Sequence, residues 1–162
     1  MNTKDAFKSS MDLSLFVFTH YFSDLDDADL LKRPPGCNHL AWQIGHLISS
    51  EVGLVGMLAP GKAPSLPEGF NERHSKETTG VDDPSKFQTK QEYLDLFTQV
   101  RATTLQVLEA FPEEKFDSPA PERLRARFPT MGSVFTLIGM HPMMHAGQVA
   151  VVRRMLGKPV LI

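Results

Sequence analysis

Apolar residues recur at intervals of three and four along four separate stretches of the chain, and this repeat constrains the fold more than any other feature of the sequence. Such spacing places one apolar stripe on each of four α-helices. No convincing run alternates apolar and polar residues in the way that indicates a half-buried strand. The pattern therefore predicts an all-α protein with four main helices.

Glycine and proline residues mark the ends of the first two helices. Helix one is predicted over roughly residues 5–26, and the segment DLDDADLLKRPPG that follows contains strong helix breakers. Helix two is predicted to begin after Asn38 as its N-cap and to end at the Pro60–Gly61 pair.

Capping signals mark the ends of the last two helices. Thr89 and Glu92 have the spacing of a capping box, and the apolar stripe that follows extends to Phe111, so helix three is predicted here. Helix four is predicted from near Thr130 to Gly157, since glycine suits the left-handed position after a helix.

Length and charge limit the classes of partner. A chain of 162 residues, 41% of them apolar, has the usual size of one domain, which we predict over residues 1–162. A net charge of -2 provides no basic surface for nucleic acid or anionic lipid, and no apolar run is long enough to span a bilayer. We therefore expect that the protein binds neither nucleic acid nor a membrane. Because Cys37 is the only cysteine, no intramolecular disulfide can form, and this fits a cytoplasmic location.

The connection between helices two and three, residues 60–88, is unusually long for a compact domain. A crossover of this length allows consecutive helices to run parallel instead of forming a hairpin. Long connections often carry function. The segment is either a cover over a functional site or a solvated connection.

Helix four carries two histidines one turn apart, in GMHPMMHAGQ. On a helical wheel His141 and His145 fall at the centre of the apolar face with Gln148 one turn further, whereas Arg153 and Arg154 fall on the outer side. An unpaired buried polar group costs about 1–3 kcal/mol, so both rings need partners. A shared metal ion would satisfy one nitrogen of each ring; hydrogen bonds would do so without metal.

A third ligand has to come from another helix, and helix two offers His46 or His39 on nearly the same face. The helical wheel does not choose between them. Glu51 lies at the centre of the apolar stripe, where it either orients a histidine or forms a salt bridge with an arginine. His20 and His74 are predicted to lie at the surface.

Pro142 follows His141 directly, inside helix four. It lacks the N–H that would bond the Ile138 carbonyl, at a cost of about 3 kcal/mol in an unadapted helix. We therefore predict a bend that frees this carbonyl for another donor. The bend either aims His141 relative to His145 or is a feature of packing alone.

The segments CNHLAWQIGHL, SPAPERLRARFPTMGSVF and HPMMHAGQVAVVRRMLGKP, in this order, resemble the DinB/YfiT-like superfamily, and the similarity covers essentially the whole chain. The resemblance implies a four-helix bundle with a long crossover between helices two and three. It also implies a divalent metal ion, zinc or nickel, bound by His46, His141 and His145, and so selects His46 over His39. Ala146 departs from the family, which often has arginine there.

Three histidine ligands without a fourth protein ligand form the pattern of an open catalytic site. A metal in such a site activates water or a thiol at neutral pH, and the resemblance implies a low-molecular-weight thiol such as bacillithiol or mycothiol. The sequence therefore favours a metal-dependent transferase or hydrolase acting on a small electrophilic substrate. A non-catalytic metal- or ligand-binding module and a bundle whose core histidines bind no metal are the alternatives.

Helix one is also unusually apolar. Phe16 and Val17 lie off its main stripe, which indicates a second buried face and predicts a homodimer.

Overall fold

A computed structural model describes residues 2–162, and its regular elements in that range are all helical. They are α1 (Thr3–His20), α2 (Leu40–Leu58), α3 (Phe70–Arg73), α4 (Lys90–Ala110), α5 (Glu122–Arg125) and α6 (Met131–Met155), with short 3-10 turns between them. Within residues 2–162 the only β-type pairing is an isolated bridge between Pro119 and Thr130. The all-α prediction is confirmed.

The capping signals of α4 and α6 work as predicted. Thr89 caps α4 and exchanges hydrogen bonds with Glu92 in a capping box. Thr130 caps α6 in the same manner. At the other end Gly157 adopts a left-handed φ of 69°, and the N–H of Lys158 donates to the carbonyl of Arg153 at 2.9 Å. This six-to-one bond is characteristic of a Schellman cap.

Two predicted helix ends are wrong. The first helix ends at His20 and not near residue 26, because the chain turns after it and side chains from other elements take up the released carbonyls. Arg153 bonds the carbonyl of Tyr21, and Lys90 bonds that of Leu25. The N-cap of α2 is His39 and not Asn38, because the imidazole Nδ1 accepts the N–H of Trp42 at 3.1 Å.

Helices α1 and α6 run parallel. Near the start of α1, Ser10 packs so closely on Gly139 that a Cβ there would lie 2.7 Å from the serine oxygen. Beyond its end, the carbonyl of Tyr21 accepts a hydrogen bond from Arg153 at 2.7 Å. The earlier residue of α1 thus contacts the earlier residue of α6, and the later contacts the later, as in a parallel pair.

Two further neighbouring pairs, α1 with α4 and α2 with α6, are antiparallel. Between α1 and α4, Lys4 donates to the carbonyl of Glu109, and Phe18 packs against Phe97. Between α2 and α6, Gln43 pairs with His145, and His46 approaches both His145 and His141. Helices α2 and α4 are therefore parallel to each other, and the crossover of residues 60–88 returns the chain to the same end.

A polar layer separates the buried apolar side chains into two clusters. One cluster contains Phe18, Phe22 and Phe97, and the other contains Phe111 and Phe135. The polar side chains between them come from all four long helices: Ser14, His46, Glu51, Arg101, Thr104, His141 and His145. The candidate ligands thus belong to the middle of the helical assembly.

Arg153, predicted on an outer side of its helix, and Val17, predicted on a second buried face at a dimer contact, are both buried within the chain. Arg153 is fully covered because residues 21–24 and Pro159 fold over its side of α6, where it pairs with Asp24 and donates to the Pro159 carbonyl. Val17 packs into the apolar core of its own chain. Phe16 remains 57% exposed.

None of the described helices is long and apolar enough to cross a membrane.

Candidate metal centre

Three histidines from two antiparallel helices converge in the polar layer. His46 comes from α2, and His141 and His145 come from adjacent turns of α6. One ring nitrogen of each residue lies within 4.8 Å of the other two. All three side chains are half-buried, so the cluster is partly exposed to solvent.

His39, the other candidate on helix two, lies outside this cluster because both of its ring nitrogens have partners. Its Nδ1 accepts the N–H of Trp42, and its Nε2 lies 2.9 Å from the carbonyl of Val81. The ring therefore caps α2 and fastens the end of the crossover to it. Of the two alternatives that the helical wheel left open, the structure places His46 beside the histidines of α6.

Gln43 is a site residue that the sequence analysis missed. Its amide nitrogen donates to the carbonyl of Asn38 at 2.6 Å, which directs Oε1 toward Nδ1 of His145 at 3.0 Å. An amide oxygen only accepts, so the imidazole donates from Nδ1 and its Nε2 keeps a free lone pair. The spacing of Gln43 three residues before His46, on the same helix face, was the available signal.

Burial keeps the three imidazoles neutral. Loss of hydration lowers the pKa of His141 to about 4, and neighbouring His46 adds to this effect. Burial followed by the proximity of His141 and His46 lowers the pKa of His145 to about 3, although the Gln148 side chain opposes the change. Burial and the positive charge of Lys76 also lower the pKa of His46. Neutral imidazole is the form that binds a metal ion.

Glu51 forms a salt bridge and contacts none of these histidines through a hydrogen bond. Its carboxylate accepts hydrogen bonds from Arg101 at 2.9 Å and from the hydroxyl of Thr104 at 2.6 Å, all within the buried layer. Of the two roles considered for Glu51, the structure shows the salt bridge to an arginine.

The carbonyl that Pro142 deprives of its helical partner finds a donor in Arg101. Helix α6 continues through Pro142, and the Ile138 carbonyl lies 3.5 Å from Nη2 of Arg101. The same guanidinium donates to the carbonyl of Met11 at 2.9 Å and to Glu51. One side chain of α4 thus links α1, α2 and the turn of α6 that carries His141.

Trp42 forms a flat wall beside the cluster. Its ring stacks on His46 with centroids 5.0 Å apart and planes inclined by 5°. The indole N–H lies 3.2 Å from both the carbonyl of Ser75 and the hydroxyl of Thr78. Residues 75–78 of the crossover are therefore held next to one of the candidate ligands.

The surface role predicted for His74 is wrong, since its side chain is 2% exposed. Its Nδ1 lies 2.7 Å from the carbonyl of Phe70, and its Nε2 lies 2.7 Å from the hydroxyl of Tyr93. The ring packs directly on Gly45, where a Cβ would approach it to 2.1 Å. His74 anchors the crossover to α2 and α4, and the crossover is more than a solvated connection.

A family model described as the DinB superfamily matches residues 14–149 of the chain. The match includes the three histidines, Gln43 and the whole crossover. Comparisons with curated proteins and with solved structures find no match.

Proposed function

This chain belongs to the DinB superfamily, and from that membership we propose that His46, His141 and His145 bind one divalent metal ion, zinc or nickel. The observation that carries the proposal is the convergence of three ring nitrogens within 4.8 Å. We further propose the four-helix bundle with a long crossover, in a single domain, as the architecture that positions these ligands.

The residues fit such an ion. Zinc–nitrogen bonds are about 2.0–2.1 Å long, so nitrogens that share one ion lie roughly 3–4 Å apart, and small side-chain movements suffice to bring these three rings together. Their lowered pKa values favour the neutral form. The hydrogen bond from Gln43 fixes the tautomer of His145, as is usual for histidine ligands.

The proposed activity is a metal-dependent transfer of a low-molecular-weight thiol to a small electrophile. When bound, zinc or nickel would lower the pKa of a thiol or a water in the remaining coordination position and so supply a nucleophile. The charged or titratable groups that shift the pKa of the three histidines are Lys76 and the histidines themselves, without a carboxylate among them. A thiol held there would release its proton to solvent and react as the thiolate without a carboxylate base, and the choice of a thiol over water rests on the resemblance to thiol-dependent members of the superfamily.

Residues 75–78 of the crossover are proposed to border the open position. They lie against Trp42, which stacks on His46, and the positive charge of Lys76 acts on the same histidine. This charge would attract an anionic group of the thiol or the substrate. The crossover would then influence small-molecule affinity more than metal affinity.

Turnover of a chromogenic electrophile in the presence of bacillithiol, mycothiol or a simpler thiol tests this function. We expect activity that requires added zinc or nickel, is lost in His145→Ala, and is retained in the control His20→Ala. A protein that binds metal but neither binds thiol nor turns over would instead be a non-catalytic metal-binding module. Equal activity in His145→Ala would refute the role of the cluster.

A further inference from the structure

Exposed apolar side chains are concentrated on one pair of helices. Among the described residues, seven large apolar side chains have exposures between 42% and 62%, and six of them lie on α1 and α6. We call these six the α1/α6 face: Leu13, Phe16, Met140, Met144, Val151 and Met155.

The helical spacing and a direct contact place these residues on adjoining surfaces. One stripe along α6 contains Met140, Met144, Val151 and Met155. These residues are spaced by four, seven and four positions, which places them on the same side of the helix. Helix α1 runs parallel to α6, and its Ser10 hydroxyl lies 4.0 Å from the sulfur of Met140. Leu13 lies about one turn further along α1.

The same surfaces lack charge. No Asp, Glu, Lys or Arg occurs between residues 130 and 152, nor between residues 13 and 23. The solvent side of a helix ordinarily carries charged and polar residues. Because these two uncharged segments lie side by side, the middle of the α1/α6 face is apolar, and charged side chains, among them Lys8, Asp12 and Arg154, lie only at its edges.

Gly147 lies within this stripe, and no contact inside its own chain requires a glycine at this position. It is exposed, and nothing lies within 4 Å of a Cβ built at its position. Glycine in a helix interior lowers helix stability relative to alanine. A glycine here does permit the backbone of another molecule to approach closely.

We propose that the α1/α6 face binds a second copy of this chain about a two-fold axis. Six large side chains, each about half exposed, offer on the order of 500 Å² of apolar surface. A standard interface covers about 800 Å² per partner, and homodimer interfaces are about 65% apolar, so the available surface is what a stable dimer needs. An uncharged apolar face is complementary to itself, as a two-fold contact requires.

Two substitutions on the face and one matched control test the proposal. Gly147→Arg and Met144→Lys add a charge at exposed positions, where the fold of one chain can accommodate them. Gly53→Arg is the control, because Gly53 is also exposed inside a helix, with nothing within 4 Å of its Cβ, but lies on α2. Circular dichroism and bound metal report whether the fold and the histidine cluster remain intact.

Sedimentation velocity over about 1–100 µM protein should show dimers for the wild type and Gly53→Arg, since interfaces of this size commonly give micromolar or tighter affinity. Gly147→Arg and Met144→Lys should weaken dimerisation at least tenfold while binding metal normally. A wild-type protein that stays monomeric at every concentration would overturn the proposal. So would a dimer that neither substitution weakens. Neither result would bear on metal binding.

Discussion

Gln43 shows how a single side chain orients a candidate ligand. Its amide is held by the Asn38 carbonyl and in turn accepts from Nδ1 of His145, so the imidazole presents Nε2 to the cluster. Without this bond the His145 ring is free to rotate and to change tautomer. The effect acts on the ligand and not on the metal directly.

Replacing Gln43 by Ala should weaken metal affinity about 10- to 100-fold, the usual cost of removing such a partner. Gln99→Ala, on the exposed surface of α4, is a control that should leave affinity unchanged. Competition with a chromophoric chelator measures the metal affinity of both variants. Wild-type affinity in Gln43→Ala would show that the ring is oriented by packing alone.

Pro142 gives a second prediction at this scale. In Pro142→Ala the new N–H can bond the Ile138 carbonyl, which Arg101 approaches at 3.5 Å in the present structure. The thermal stability of the metal-free protein should be maintained or rise, whereas metal affinity should fall several-fold because the turn that carries His141 changes direction. Calorimetry and metal titration separate the two effects. If metal affinity and turnover stay unchanged, the proline is a feature of packing.

The sequence predicted the placement of some of these residues and missed that of others for physical reasons. His141 and His145 were found because i, i+4 spacing on an apolar face is local information. Arg101 was missed because a charged residue beside the buried Val100 gives no local sign of a distant carboxylate partner, Glu51. His74 was misplaced because its burial depends on how the crossover folds back onto Gly45.

At the scale of elements, the crossover acts as a clamp across the ends of α2 and α4. His74 contacts both helices, through Gly45 and Tyr93, and Trp42 holds residues 75–78. Burial lowers the pKa of His74 to about 4, so the clamp is built from a neutral ring.

This lowered pKa predicts a pH-dependent stability. The unfolded chain takes up a proton at His74 near pH 6.5 while the folded chain does not, so the stabilisation present above pH 6.5 is lost as the pH falls toward 4. Between pH 7.5 and 5.5 the wild type should lose about 1.4 kcal/mol more unfolding free energy than His74→Gln. Urea unfolding of the metal-free proteins measures this difference.

Tyr93→Phe provides the control for that experiment. It removes the hydroxyl that pairs with His74 but keeps the titrating ring, so it should lower stability at both pH values while retaining the wild-type slope. The same pH slope in His74→Gln as in the wild type would contradict the assignment of a neutral buried His74.

The helix ends show where local signals suffice. Thr89 and Glu92 lie next to each other in space because of their spacing alone, and they marked the start of α4 correctly. The end of α1 was placed too late because Phe22 and Leu25 keep a helical spacing and are buried, although the backbone has already turned. The donors that permit this turn, Arg153 and Lys90, are distant in sequence.

At the scale of the whole molecule, the polar layer is the central feature. It contains the buried Glu51–Arg101 pair and the three half-buried histidines, between two apolar clusters. Buried polar groups lower stability unless each is paired. The ion pair satisfies one part of the layer, and a metal ion shared by α2 and α6 would satisfy the other.

Metal analysis of protein purified without nickel chromatography and then exposed to zinc or nickel tests this claim most directly. We expect one ion per chain in the wild type and in His20→Ala, and less than about a tenth of that in His145→Ala with its helical circular dichroism spectrum retained. Stoichiometric metal in His145→Ala, or none in the wild type, would contradict the assignment of His46, His141 and His145 as ligands.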